Sequence, residues 1–197
     1  MSYSVEASQD SCYPGTNVLI NKLGLHDQAA LDQAERIVVT LHAAQLEAET
    51  CTAPLTFDFY RSLHRQLFQE LYDWAGELRT INISKNGTAF YPAEELSRLG
   101  EAKFAFLISE REFQGLSREL FAERISDFYN DINLLHPFRE GNGRTQRLFF
   151  SILTRRAGYK IDFAGCDMDA LMMATIYAAQ GVQTYLTQFF NHAIRES

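Results

Sequence analysis

The sequence predicts an all-α domain carrying one small β-hairpin, and two observations carry that prediction. Apolar residues recur at spacings of three and four along most of the chain, which is the mark of helices with one buried face. One segment, Arg79 to Tyr91, breaks that period. There Ile81 and Ile83 alternate with polar residues, and Asn86-Gly87 is a strong hairpin signal, because both positions tolerate positive φ in a type I′ turn.

Taken in order, residues 1–27 show no period and read as an irregular N-terminal segment that wraps the body or frays, while residues 28–197 read as one domain. Asp27 to Glu49 carry Ala34, Ile37, Val38 and Leu41 at helical spacing. Thr56 is placed as the N-cap of a stripe running through Phe57, Tyr60, Leu63, Leu67, Leu71 and Trp74, with Gly76 as its stop. Residues 93–110 follow with a less regular stripe. Phe121, Ile125, Phe128, Ile132 and Leu135 form a clean one, and Leu148, Phe149, Ile152 and Leu153 begin another that Gly158 closes. Two shorter helical patterns, Asp169 to Ala179 and Val182 to Ala193, complete the chain. The hairpin has two readings: a structural element lying on the helices, or a docking edge to which an extended peptide adds as a third strand.

Composition removes several classes of function. The chain has 197 residues, 46% of them apolar and 22% charged, with 15 Phe and 9 Tyr that need a dry interior, so disorder is excluded as its main state. Cys12, Cys51 and Cys166 are too few and too far apart for a disulfide scaffold. With 25 acidic against 18 basic side chains the net charge is −7, which argues against coating nucleic acid directly. No secretory signal opens the chain and no apolar run reaches membrane-span length, so no membrane role is expected. Unpaired thiols point to a reducing cytoplasm.

The chemistry concentrates in His136-Pro137-Phe138-Arg139-Glu140-Gly141-Asn142-Gly143-Arg144-Thr145-Gln146-Arg147, between two strong helical stripes. Pro137 disfavours helix at His136, so the first helix ends there. A Gly-rich turn opening the next helix presents unpaired N–H groups and the positive dipole end, which bind anions. Arg144 and Arg147, three apart, share a face at that helix start and suit a polyphosphate. Glu140 beside a phosphate site is repulsive unless Mg²⁺ lies between them, and Mg²⁺ commonly takes one or two carboxylates with substrate phosphates. His136 has an ordinary pKa of ~6.5, which lets it act as a base near neutrality. Base, metal carboxylate, anion hole and paired arginines together describe transfer from a nucleotide to a hydroxyl. A P-loop, a dinucleotide fingerprint and a zinc site each fail on pattern. Arg139 reads as a solvated residue, Arg155 and Arg156 as dipole partners at a helix end, and His26, His42, His64 and His192 as structural or surface groups.

These residues resemble the Fic family, whose motif His-Pro-Phe-x-[Asp/Glu]-Gly-Asn-Gly-Arg-x-x-Arg is met at every position from His136 to Arg147. The resemblance extends over the helical core from about residue 28 to 194 and the upstream hairpin, and implies a Fic-type helical bundle with a hairpin flap. It implies adenylylation, the transfer of AMP from ATP to a protein hydroxyl, with ATP as co-substrate and Mg²⁺ as cofactor. By that resemblance His136 deprotonates a target Ser, Thr or Tyr, Glu140 holds Mg²⁺, and Gly141, Asn142 and Gly143 cradle the phosphates. Arg144 and Arg147 then hold the β- and γ-phosphates, and Phe138 anchors the motif in the core. The hairpin is similar to the family's flap, with Ile83, Thr88 and Phe90 as target-binding positions; Phe90 is equally a candidate for a buried anchor. Tyr177 and Gln180 are adenine-pocket candidates from position alone. The phosphorylating branch replaces Gly143 by Lys, and Gly143 is intact.

Many Fic proteins restrain themselves with a Ser/Thr-x-x-x-Glu-Gly/Asn helix whose Glu pairs with the second motif arginine. Here only Glu6 and Glu101 have a hydroxyl residue four positions earlier, and Ala follows both. The chain therefore resembles the class I subgroup, in which the inhibitor is a separate small antitoxin and the toxin modifies the ATPase subunits of DNA gyrase and topoisomerase IV. Two other functions fit the same scaffold: transfer of another nucleotide or phosphate-linked group, and an inactive ATP-binding or docking module.

Overall fold

Aromatic rings from successive stripes meet at the centre of the molecule. In the computed structural model, which describes residues 4–5, 11–49, 51–85 and 87–196, Tyr60 packs edge-on to Phe149 at 5.3 Å, and Phe104 lies between Phe57, Tyr60, Phe128 and Phe149. The helices carrying these rings are α2 (Phe57–Phe68), α3 (Leu96–Ser109), α4 (Arg118–Leu135) and α5 (Asn142–Arg156). Helix α4 is central, in contact with α3, α5, α6 (Met168–Ala179) and α7 (Thr184–Ala193). Its stripe Phe121, Ile125, Phe128, Ile132 and Leu135 is wholly buried, as its period requires. Ser117 caps α4 and Thr56 caps α2, each through its hydroxyl.

Two helices depart from their sequence patterns. Helix α2 ends at Phe68, so Leu71 and Trp74 lie in the turns that lead to Gly76. The Leu71 carbonyl there accepts the Lys22 N–H at 2.8 Å, and Leu71 and Tyr72 are buried without continuing the helix. Helix α1 (Gln28–Ala48), capped by Asp27, turns Leu31, Glu35 and Val39 inward, while Ile37 and Leu41 are exposed. The apolar stripe is thus met only in part: Ala34 and Val38 are half-buried, and the centre of the buried face takes Glu35, whose ion pair with Arg144 stands in an otherwise apolar position.

The hairpin forms as expected. Strands β2 (Ile83–Lys85) and β3 (Thr88–Ala89) pair antiparallel with Lys85 opposite Thr88, which leaves a two-residue loop. Gly87 has φ +78°, and Asn86 lies outside the described residues. The N-terminal segment is less irregular than its sequence suggests: β1 (Ser4–Val5) adds to β2, residues 11–27 fold back on themselves through a Cys12–Leu19 bridge, and Lys22 ties them to the body. A second strand pair, β4 (Tyr159–Ile161) with β5 (Ile194–Glu196), joins the exit of α5 to the end of α7 and was not legible as strands. Arg156 pairs with the buried Glu112 at 2.9 Å and donates to the Ala53 carbonyl, so it does more than face a helix dipole. Among the described residues no helix is long and apolar enough to cross a membrane.

Helices α2 and α3 approach closely at Gly100, where an added Cβ would lie 2.4 Å from the Phe57 ring. Gly100→Ala is therefore expected to lower stability by about 1–3 kcal/mol in urea unfolding, since the ring is walled in by Phe104. An unchanged midpoint would mean that the two helices part without cost.

Candidate active site

Helix α4 stops because Pro137 follows His136. His136 takes the left-handed conformation (φ 41°, ψ 58°) as the C-cap, and its N–H donates to the Ile132 carbonyl at 3.1 Å. That turn aims the ring back at the helix end, where Nδ1 lies 3.1 Å from the Asn133 carbonyl. A carbonyl only accepts, so Nδ1 carries the proton and Nε2 carries the lone pair. The ring stacks on Phe90 at 3.8 Å with an 8° interplanar angle. Burial pushes the His136 pKa down to about 3, with Lys85 and Arg79 adding to the effect and the Asn133 carbonyl opposing it. The imidazole is neutral at pH 7, with its proton on Nδ1 and Nε2 unprotonated.

The loop after His136 is held from within and from α2. Phe138 is fully buried, stacked on His64 at 3.8 Å and near Tyr60. The Asn142 carboxamide accepts from the Phe138 N–H at 2.9 Å and donates to the Phe138 carbonyl at 2.8 Å. Its contribution to a phosphate is thereby limited to its backbone N–H. The Gly76 N–H donates to His64 Nδ1 at 2.8 Å, which leaves Nε2–H to donate to the Glu140 carbonyl at 3.0 Å. Burial lowers the His64 pKa to about 3, so this tautomer persists at neutrality. Gly141 has φ +78°, and a Cβ there would lie 2.4 Å from the Phe68 ring, so both conformation and space demand glycine.

Helix α5 then begins at Asn142. The N–H groups of Asn142, Gly143 and Arg144 precede its first main-chain bond, from the Thr145 N–H to the Gly141 carbonyl at 3.1 Å, and so point outward as an anion-binding end. The two motif arginines differ in their surroundings. Arg144 pairs with Glu35 of α1 at 2.6 Å, lies 3.6 Å from Glu140 and sits 4.7 Å above the Phe68 ring. The second Glu35 oxygen accepts from the Tyr72 hydroxyl, whose pKa is raised by burial and by that carboxylate. Arg147, among the described residues, has no carboxylate within ion-pair distance. It lies against Gly143, where a Cβ would sit 3.3 Å from its Nη1, and burial lowers its pKa. Both arginines, Glu35, Glu140 and Arg139 line one cavity of about 1290 Å³ between α1 and α5. Arg139 is half-buried and donates to the Ser11 hydroxyl, which corrects its reading as a solvated residue.

The structure brings His136, Glu140, Gly141, Asn142, Gly143, Arg144 and Arg147 onto one loop and helix start. Of the flap positions, Ile83 is buried and paired with Val5, Thr88 is half-buried on β3, and Phe90 stacks on His136. Tyr177 lies on α6 against Tyr185 and lines a different cavity, which shares no described lining residue with the arginine cavity; Gln180 is the C-cap of α6. Glu35, His64, Tyr72 and Arg79 were not singled out from the sequence as site residues. Glu35 has Leu31 four residues earlier, so a search for a hydroxyl–Glu pair passes over it.

His64 and His136 bind protons in the unfolded chain near pH ~6.5, but in the folded chain only near pH 3. The unfolded state therefore gains protons first, and folding stability falls as pH drops through that window. The expected slope is about 1.4 kcal/mol per pH unit for each histidine. Urea unfolding between pH 7 and 5 checks this: stability declines with acid, and His136→Gln makes the decline shallower. An equal slope in the variant would contradict the burial of His136 as neutral imidazole.

Comparison with known proteins agrees with this geometry. The family model described as Fic/DOC family matches residues 54–154. "Probable protein adenylyltransferase Fic" of Escherichia coli is 35% identical over 94% of this chain and 92% of its own length. "Protein adenylyltransferase VbhT" of Bartonella schoenbuchensis is 30% identical over 93% of this chain and 38% of that protein. Among solved structures, the BepC protein of Bartonella tribocorum with bound AMPPNP superposes with a TM-score of 0.89 at 25% identity, covering 96% of this chain and 98% of that one. A Bartonella quintana Fic domain with bound ADP gives 0.90 at 25% identity, covering 96% of each chain. The motif, the helical bundle around it and these relatives together assign the chain to the Fic/DOC family.

Proposed function

We propose that this chain is a protein adenylyltransferase that moves AMP from ATP to a Ser, Thr or Tyr hydroxyl of a target protein. The observation that carries this reading is the neutral His136 imidazole, its Nδ1 proton committed to Asn133, one loop away from the anion-binding start of α5. The names of the curated relatives and the nucleotides bound in the solved structures support it. In the proposed step the target hydroxyl oxygen attacks the α-phosphorus and the bond to the pyrophosphate oxygen breaks. The hydroxyl proton passes to His136 Nε2, and pyrophosphate leaves on Arg147 and the α5 N–H groups.

Glu140 is the candidate Mg²⁺ ligand. Among the described residues no group of three His, Cys, Asp or Glu side chains could hold a metal. A single half-buried carboxylate beside the phosphate-binding N–H groups still fits Mg²⁺, which completes its shell with phosphate oxygens and water. The ion would supply neutralisation of phosphate charge.

We read the protein further as the cytoplasmic toxin of a toxin–antitoxin pair, restrained by a small Ser/Thr-x-x-x-Glu-Gly/Asn protein and acting on gyrase and topoisomerase IV. In support, Glu101 is exposed on α3 and, among the described residues, forms no ion pair with Arg144 or Arg147. Glu6 lies outside the described residues.

Incubation with α-labelled ATP, Mg²⁺ and host lysate, with a γ-labelled arm, tests the activity. Label from the α arm alone is expected, and label from the γ arm alone would mean phosphorylation. His136→Ala should lose about 10²–10⁴-fold in rate while ATP binding measured by calorimetry holds. A second expectation separates the arginines. Arg147→Ala should weaken ATP about ten- to a hundredfold and ADP less, whereas Arg144→Ala costs less because Glu35 already neutralises that charge. Equal losses for the two variants would remove the distinction.

A further inference from the structure

Arg79 has no place in the nucleotide site, yet it is only 4% exposed, and among the described residues no carboxylate lies within ion-pair distance of it. A buried cation without a counter-charge is costly unless dipoles replace the water it loses. Here main-chain carbonyls do so. Nε donates to His136 at 2.8 Å, Nη1 to Ile81 at 2.7 Å, and Nη2 to Tyr91 at 2.5 Å and to Leu135 at 3.4 Å. The Arg79 N–H donates to the Pro137 carbonyl at 2.8 Å. Two of the side-chain acceptors lie at the C-terminal end of α4, the negative pole of its dipole. Burial lowers the Arg79 pKa only to about 10, so the charge persists at neutrality.

The four carbonyls belong to both legs of the flap and to the end of α4, which the Tyr91 N–H also joins through the Leu134 carbonyl at 3.0 Å. Ile81 leads into β2, Tyr91 follows β3, and Leu135 and His136 end α4. One planar fork thus ties both legs of the flap to the peptide of the catalytic histidine. Phe90, whose ring covers the imidazole, is the residue before Tyr91. Arg79, together with the Tyr91–Leu134 main-chain bond, therefore sets the separation between flap and imidazole, and its side chain reaches both legs and the end of α4. Lysine, with one rotatable ammonium, lacks the fork that spans these acceptors.

We infer that Arg79 is a positioning residue of the transfer reaction: it clamps both flap legs to the His136 peptide and so sets the slot through which a target hydroxyl reaches Nε2. This rests on the reading of His136 as base and of the hairpin as flap. The nucleotide site is untouched by it, because Arg144, Arg147 and the α5 N–H groups make no bond to Arg79.

Two variants test the inference, Arg79→Lys and Arg79→Met, each first shown to be folded by its melting transition. Three quantities are read: ATP affinity by calorimetry, the His136 ring titration by ¹⁵N NMR without nucleotide, and the initial rate of incorporation from α-labelled ATP into host lysate at saturating ATP. The groups facing the imidazole are the Asn133 carbonyl of α4, Lys85 of β2, the Phe90 ring and Arg79 itself. Loosening the clamp admits water and raises the His136 pKa in both variants. The rise is larger in Arg79→Met, which also removes a cation.

Incorporation should fall about 10–100-fold in Arg79→Lys, the cost of a misplaced reacting group, while ATP affinity stays within about twofold. If Arg79→Lys keeps both the native titration and the native rate, the clamp has no positioning role. A parallel loss of ATP affinity would overturn the inference as well, by showing that Arg79 acts through the nucleotide site. Should the wild-type protein incorporate no label, the adenylylation reading fails, and the titration still decides whether Arg79 positions His136. If Arg79→Met does not fold, Arg79→Lys alone decides, because it retains the charge and changes only the geometry.

Discussion

Pro137 interrupts the chain just after α4, and the carbonyl groups around that break must find donors other than helical N–H groups. The site is what satisfies them. Asn133 receives the His136 ring proton, Leu134 the Tyr91 N–H, Leu135 and His136 the Arg79 guanidinium, and Pro137 the Arg79 N–H. Phe138 receives the Asn142 amide, Glu140 the His64 ring, and Gly141 both the N–H and the hydroxyl of Thr145. The donors come from His136 itself, the flap, α2 and α5. Buried carbonyls left unpaired would each be costly, so the loop has one arrangement in which all of these bonds form together. The reactive geometry follows from that accounting: the histidine is neutral, its tautomer is set by Asn133, and the start of α5 is left open.

Charge follows the same economy at a larger scale. The chain as a whole is acidic, at −7, yet four arginines, Arg36, Arg139, Arg144 and Arg147, line one cavity beside its carboxylates, and the two motif arginines among them sit at the positive end of α5. The sign of the whole molecule therefore disfavours a long polyanion, while the local field suits a small one. Within the cavity Glu35 and Tyr72 hold Arg144 in a pre-set orientation over Phe68, so less of its charge is available to a ligand. Arg147, which among the described residues has no carboxylate within ion-pair distance, sits in a partly desolvated place, where an incoming phosphate gains most. The motif writes the two residues as equivalents, and their neighbours make them different.

What the sequence made legible was local. The α4 stripe, the cap at Thr56, the two-residue hairpin loop and the whole motif from His136 to Arg147 each depend on residues a few positions apart. What it hid depends on distant partners. Helix α2 ends early because the turn after Phe68 gives the Leu71 carbonyl to Lys22, a residue from the N-terminal segment. The apolar pattern of α1 marks only the flank of its buried face, Ala34 and Val38, because Glu35, polar in the sequence, is buried by Arg144 and Tyr72. His64 looked like an ordinary core histidine, and it is one in burial; only the fold reveals that its Nε2–H holds the Glu140 carbonyl. Arg79 is invisible for the same reason, since three of its side-chain acceptors lie more than ten residues away.

The hairpin shows how a structural element and a docking element can be the same object. Its base is built into the molecule: Ile83 is buried, the Tyr91 N–H bonds to Leu134, and the Arg79 fork joins both legs to α4. Its far end is open, with Gly87 and Ala89 exposed. In the sheet order β1-β2-β3 the middle strand is β2, so β1 already covers one of its edges and β3 covers the other. The edge left for main-chain pairing is that of β3, the strand that runs directly into Phe90 and the face of His136. A strand added there would lie beside Phe90, which covers the His136 ring. A rigid base and an open edge at β3 are then two parts of one requirement, because an edge that guides a hydroxyl to Nε2 is useful only if its distance from the imidazole does not drift.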